Sequence, residues 1–270
     1  PFYRVVGNFT DAHVQGEWKA VEGSGYFASP LLYKENGFRE KKDALALIDR
    51  VQGHPAIVES IEKNISRKRA PLLFNLAELQ AECAKRFKIS PDETLQVAQD
   101  LYERKLTTYP RTDARVLSTA VAKEIHKNLN GLMKYEPAVL FLQEIVGFGS
   151  HKGLAKTRYV NDKQITDHYA IIPTGQGMSA LSGLSWTSRA VYDVIVRRFL
   201  SIFYPAAVYQ KVAITIKVKE ESFFASFKVL AEPGYLKVVG VSGRKEGRIW
   251  QRCRSRSRKC KWKCDFRRNR

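Results

Sequence analysis

The sequence predicts an α+β protein in which a helical, helix-turn-helix-like domain is inserted into an antiparallel β domain. Three observations carry this. The middle of the chain holds well-capped amphipathic helices, the flanks alternate in the two-residue period of strands, and proline-containing segments stand near both crossings. The expected division is a β domain from 1–70 and 205–242, a helical domain from 71–204, and an atypical basic tail from 243–270.

At the start, the run from Pro1 to Phe9 reads as a strand, Gly25–Ser29 as another, and Lys41–Gln52 as an amphipathic helix. Asn75 then caps a helix with Glu78 three residues on and Leu76, Leu79, Cys83 and Phe87 along one side. Ser90, Pro91 and Glu93 open the next helix, whose apolar stripe is Leu95, Ala98, Leu101 and Tyr102. Helices are expected from Ser118 to Leu129, Pro137 to Val146 and Thr187 to Phe203. A three-strand meander should follow: Val208–Val218, Phe223–Val229 and Tyr235–Gly240. Residues 70–73 and 204–207, each with a proline, mark the crossings.

With 270 residues, 44% of them hydrophobic, the chain can build one large or two ordinary cores, and its formal charge of +19 points to an anionic partner. No apolar run approaches the length of a membrane span and the start has no signal-peptide pattern, so a soluble, cytoplasmic protein is expected. Residues 244–270 hold 13 Lys or Arg against Glu246 and Asp265, a net of +11 that leaves +8 to the rest. Cys253, Cys260 and Cys264 also lie there, without the close pairs of a zinc ribbon, and Cys83 reads as a buried thiol. No metal ligand set is assigned.

The stretch LTTYPRTDAR, 106–115, raises a chemical question. One reading is a strand end running into a turn, with Tyr109 half-buried and Arg111, Asp113 and Arg115 solvated. The other makes Tyr109 a nucleophile. A phenol titrating near 10 needs a proton acceptor or nearby positive charge to attack. Guanidinium groups supply that charge and match the geometry of a phosphate.

Four stretches in order, PLLFNLAELQ (71–80), SPDETLQVAQDLYERKLTTYPRTDAR (90–115), NDKQITDHYAIIPT (161–174) and VYDVIVRRFLSIFYPAA (191–207), resemble the type IA DNA topoisomerases, most of all the bacterial topoisomerase III branch. The resemblance implies a winged-helix-like gate domain inserted in a β arch, part of a ring. It makes Tyr109 the residue that attacks single-stranded DNA and stays joined to the 5′-phosphate. Arg111 matches the arginine holding the scissile phosphate, and His168 the histidine of the DHxAIxPT motif. Gln99 and Glu103 match polar positions facing the DNA, Asp113 is expected to support the arginine, and Arg115 is a further DNA contact. The family's Mg²⁺ is held by a TOPRIM domain with a DxD cluster. No DxD occurs in this sequence, so the chain is expected to be a piece lacking that domain, inactive alone and with no cofactor of its own. A helicase partner of the intact enzyme is a further implication. The tail departs from the family, whose arch strands should continue there, which leaves that edge of the β domain incomplete. The rival reading is a non-catalytic winged-helix-like DNA-binding module.

Overall fold

The computed structural model describes residues 2–9, 14–240 and 262–268, which fall into two compact units. The first comprises 1–66, 208–231 and 243–270, and the second 67–207 and 232–242.

In the first unit, β1 (Tyr3–Phe9), β2 (Val14–Lys19), β3 (Leu32–Lys34), β4 (Gly37–Phe38), β5 (Ile57–Lys68), β6 (Ala207–Val218), β7 (Glu221–Glu232) and β8 (Trp262–Arg268) form one sheet. Its order is β3-β4-β1-β2-β7-β6-β5, and β8 pairs with β1 off this path. Alternation buries Val5, Gly7 and Phe9 on β1 and Val14, Gly16 and Trp18 on β2. Phe9 meets Phe223 edge-on at 5.7 Å, and Trp18 stacks on Phe38 at 4.9 Å. The helix α1 (Lys41–Val51) lays Ala44, Leu47, Ile48 and Val51 into the same core. Glu221, with no exposed surface, is satisfied by the Trp18 indole N–H at 2.8 Å and the Gly25 amide at 3.2 Å.

Three expectations are corrected here. Gly25–Ser29 is a chain of turns, because the Gly25 amide donates to Glu221 and the Phe27 and Ser29 amides donate to carbonyls three residues back. The third meander strand is a short helix, α7 (Leu236–Val239), which groups with the helical unit. Gly234, at φ +49, turns the chain beneath the Pro205 carbonyl, which accepts from the Tyr235 amide, so the sheet is not continued. The edge expected to be incomplete carries β8, antiparallel along the whole of β1. The tail's Cys253 and Cys260 lie outside the described residues.

The second unit holds α2 (Leu76–Phe87), α3 (Pro91–Glu103), α4 (Thr119–Leu132), α5 (Val139–Phe148), α6 (Trp186–Ser201) and α7. Asn75, Ser90, Ser118 and Ser185 each cap a helix by accepting the amide three residues on. The central helix is α6, burying Val191, Tyr192, Val194, Ile195, Val196, Phe199 and Leu200 while packing on α2, α3 and α7. Cys83 is fully buried, and burial pushes its thiol up to about 11.

Candidate active site

The site begins where α3 stops. Lys105 takes the left-handed conformation at φ +63, its amide donates to the Tyr102 carbonyl at 2.8 Å, and the Leu106 amide donates to Leu101 at 2.9 Å. That is a Schellman ending, closed by the apolar pair Leu101 and Leu106, both fully buried. It sends the chain out extended, alongside residues 170–174.

This second segment fixes the turn. The Thr108 amide donates to Ile172 at 3.0 Å, while the Thr108 hydroxyl donates to Ala170 at 3.0 Å and accepts from the Ile172 amide at 2.9 Å. The Thr174 amide donates to the Leu106 carbonyl at 3.0 Å. Beyond Pro110, the buried Thr112 hydroxyl donates to the His168 carbonyl at 3.0 Å and accepts from the Ala114 amide at 3.1 Å. Asn128 holds the same segment from α4, donating to the Pro173 carbonyl at 2.9 Å. Gly177, at φ +67, lies so close to α3 that a β-carbon there would sit 2.2 Å from the Arg104 carbonyl oxygen.

The ladder places the half-buried Tyr109 ring between two others. The ring of the exposed His168 lies 4.4 Å away, tilted by 41°, and Tyr102 stands edge-on at 5.3 Å. Tyr102, expected in an apolar stripe, is 40% exposed and belongs to the site. All three line a cleft of about 350 Å³ with Lys105, Thr107, Thr108, Tyr169, Thr174 and Gln176.

The remaining sequence-derived residues divide. Arg111 is exposed two residues from Tyr109, outside the cleft lining, and has no ion pair among the described residues. Gln99 and Glu103 hydrogen-bond one another at 3.1 Å on α3, also outside the lining. Asp113 is exposed and makes no ion pair with an arginine among the described residues. Its carbonyl accepts from Asn75 at 3.2 Å. Arg115 bonds Glu78 at 3.1 Å and the Leu73 carbonyl at 3.3 Å through its guanidinium, which ties this segment to α2. Sequence reasoning missed Lys105, Thr107 and Gln176. Only the basic residue directly after a helix stop offered a signal for Lys105.

Among the described residues no three His, Cys, Asp or Glu side chains come together as a metal site. Nor is any helix there long and apolar enough to cross a membrane.

The chain is similar to several known proteins. The family profile described as DNA topoisomerase covers residues 1–254. DNA topoisomerase 3 of Bacillus subtilis strain 168 is 40% identical over 237 residues, 87% of this chain and 32% of that protein. Its counterpart from Bacillus licheniformis is 37% identical over 190 residues, 70% of this chain and 25% of that protein. Full-length topoisomerase I from Thermotoga maritima shares the fold at a TM-score of 0.62 and 18% identity, across 98% of this chain and 40% of its own. The chain thus spans about a third or less of the curated relatives' length. With the tyrosine turn and the DHYAIIPT segment bonded side by side, and a profile matching nearly the whole chain, the protein belongs to the type IA DNA topoisomerase family.

Proposed function

We propose that this chain supplies the covalent step of a type IA topoisomerase, with Tyr109 cleaving and rejoining one strand of single-stranded DNA. The observation that carries it is the Tyr109 ring held against His168 at 4.4 Å on a backbone ladder that leaves both at the surface of a cleft. In this reading the Tyr109 oxygen attacks a backbone phosphorus, the bond from phosphorus to the 3′ oxygen breaks, and the 5′-phosphate stays on the tyrosine. The phenol gives up one proton and the leaving 3′ oxygen takes one. One phosphate ester replaces another, so the reverse attack reseals the strand without ATP. In the same reading His168 hydrogen-bonds the phosphate or passes the proton. Arg111 and Lys105, neither of them ion-paired among the described residues, offer positive charge where negative charge develops.

The α2–α3 pair acts in this proposal as part of a winged-helix-like gate that carries the tyrosine-bound end while a strand passes. The test is a labelled single strand incubated with this chain extended to the full length of its relatives, then quenched with detergent. A covalent protein–DNA band is expected, and Tyr109→Phe should abolish it. A band of equal strength in Tyr109→Phe refutes the assignment, and strand binding with no band supports the rival reading of a non-catalytic module.

A further inference from the structure

The cleft beside Tyr109 contains more than transesterification uses. Four rings, Tyr102, Tyr109, His168 and Tyr169, surround its roughly 350 Å³, within the range of small-ligand sites. Tyr102 already gives an edge-on contact to Tyr109, yet keeps 40% of its surface exposed, leaving ring surface for another planar group. Thr107 is the second observation. It is 1% exposed and lines the cleft, and its hydroxyl has no hydrogen-bond partner among the described residues. Its neighbour Thr108 makes two such bonds with the adjoining segment. A buried hydroxyl left unpaired is costly, so a ligand that completes it has a physical basis. Gln176, exposed in the same wall, adds an amide whose side chain has no partner among the described residues.

Away from Tyr109 and His168, where the scissile phosphate would sit in the proposed reaction, these walls offer little to a further phosphate. Only Lys105 brings a fixed positive charge, and the rest is aromatic or neutral and polar. Stacking surface beside hydrogen-bonding groups is the chemistry of a base, because every base has a π-face while its edge offers donors and acceptors. A base inside a duplex has both faces covered, which selects an unpaired one. We propose that this cleft seats one unpaired nucleobase of the DNA strand, stacked on Tyr102 and hydrogen-bonded by the Thr107 hydroxyl and the Gln176 amide, giving cleavage a base preference. The base preference rests on the reading of Tyr109 as nucleophile, whereas the seat itself does not.

The test uses the 270-residue chain and twelve-nucleotide single strands, each with one 2-aminopurine, at a salt concentration that suppresses phosphate contacts by the basic tail. Quenching at a defined position is expected, retained by Tyr102→Phe and weakened on the order of tenfold in affinity by Tyr102→Ala. Thr107→Val should weaken it several-fold without lowering the melting temperature, since losing an unpartnered buried hydroxyl does not harm the fold. A purely structural Thr107 would leave quenching untouched. Absence of quenching at every position overturns the proposal, as does unchanged affinity in Thr107→Val, which decides alone if Tyr102→Ala melts early. Quenching without a covalent adduct in the extended chain refutes the nucleophile reading and leaves the seat standing, and an adduct without quenching does the reverse.

Discussion

Replacing Thr112 by valine removes one oxygen and breaks the clamp between the tyrosine turn and the histidine segment. The hydroxyl makes two bonds, to the His168 carbonyl at 3.0 Å and from the Ala114 amide at 3.1 Å, and the residue is 7% exposed. Valine keeps the shape and leaves both partners unmatched, each worth about 1–3 kcal/mol when buried. The bond to the His168 carbonyl is only part-buried, whereas the one from the Ala114 amide is buried. The expected loss is therefore near the low end for two groups, about 2 kcal/mol. In a unit of this size that lowers the melting temperature by about 4–8 °C. Thermal unfolding followed by helical circular dichroism measures it, with Thr112→Ser as the variant that keeps both bonds. Amide exchange at Ala114 should rise in valine and not in serine. If valine and serine melt together, the clamp contributes nothing and the rings at the site are held by other means.

Other expected outcomes are independent of that one. In the extended protein Arg111→Lys should cut cleavage on the order of tenfold with no change in melting, because a point charge does not reproduce a bidentate fork; wild-type rates would make Arg111 a solvated neighbour. His168→Ala should slow cleavage by about 10²-fold, the low end for a positioned proton-transfer group, again without a change in melting temperature, and early melting instead would assign the histidine to structure. Lys105→Gly should stabilise the end of α3 by about 1 kcal/mol, since glycine suits a positive φ, and weaken single-strand binding; equal binding would remove Lys105 from the interface. Deleting residues 243–270, whose lysines and arginines give a net +11, should flatten the dependence of duplex binding on log salt and destabilise the β unit by unpairing β1 from β8, while the helical unit's melting stays put. An unchanged salt slope would show that the tail does not supply the electrostatic binding.

Local signals made the helical unit legible. Asn75, Ser90 and Ser118 each precede a clear apolar stripe, and each caps a helix in the structure. The sheet was harder to read. No strand was expected at β2, whose Gly16, opposite Gly7 of β1, serves a close approach of Phe9 and Phe223 inside the sheet. β5 exposes Ile57, Ile61 and Ile65, so its alternation does not mark a buried face. At the site, Tyr109 and His168 were found through the resemblance of their motifs. The pairing of Arg115 with Glu78, 37 residues earlier, is one that no local pattern reveals.

The two kinds of positive charge around Tyr109 show how the fold divides its work. Arg115 pairs with Glu78 and donates to a backbone carbonyl, so it joins the tyrosine segment to α2. Lys105 and Arg111 have no such partner among the described residues, and Lys105 keeps its side chain at a backbone angle that glycine adopts more easily. A fold selected for stability alone would favour glycine at that Schellman position. The rings, in contrast, are positioned by backbone bonds through Thr108 and Thr112, which leave their side chains available at the cleft. Rigid rings on a bonded ladder, with those two cations at its margin, form a surface whose unmet interactions match those of a single strand: planar bases on one side and a phosphate chain on the other.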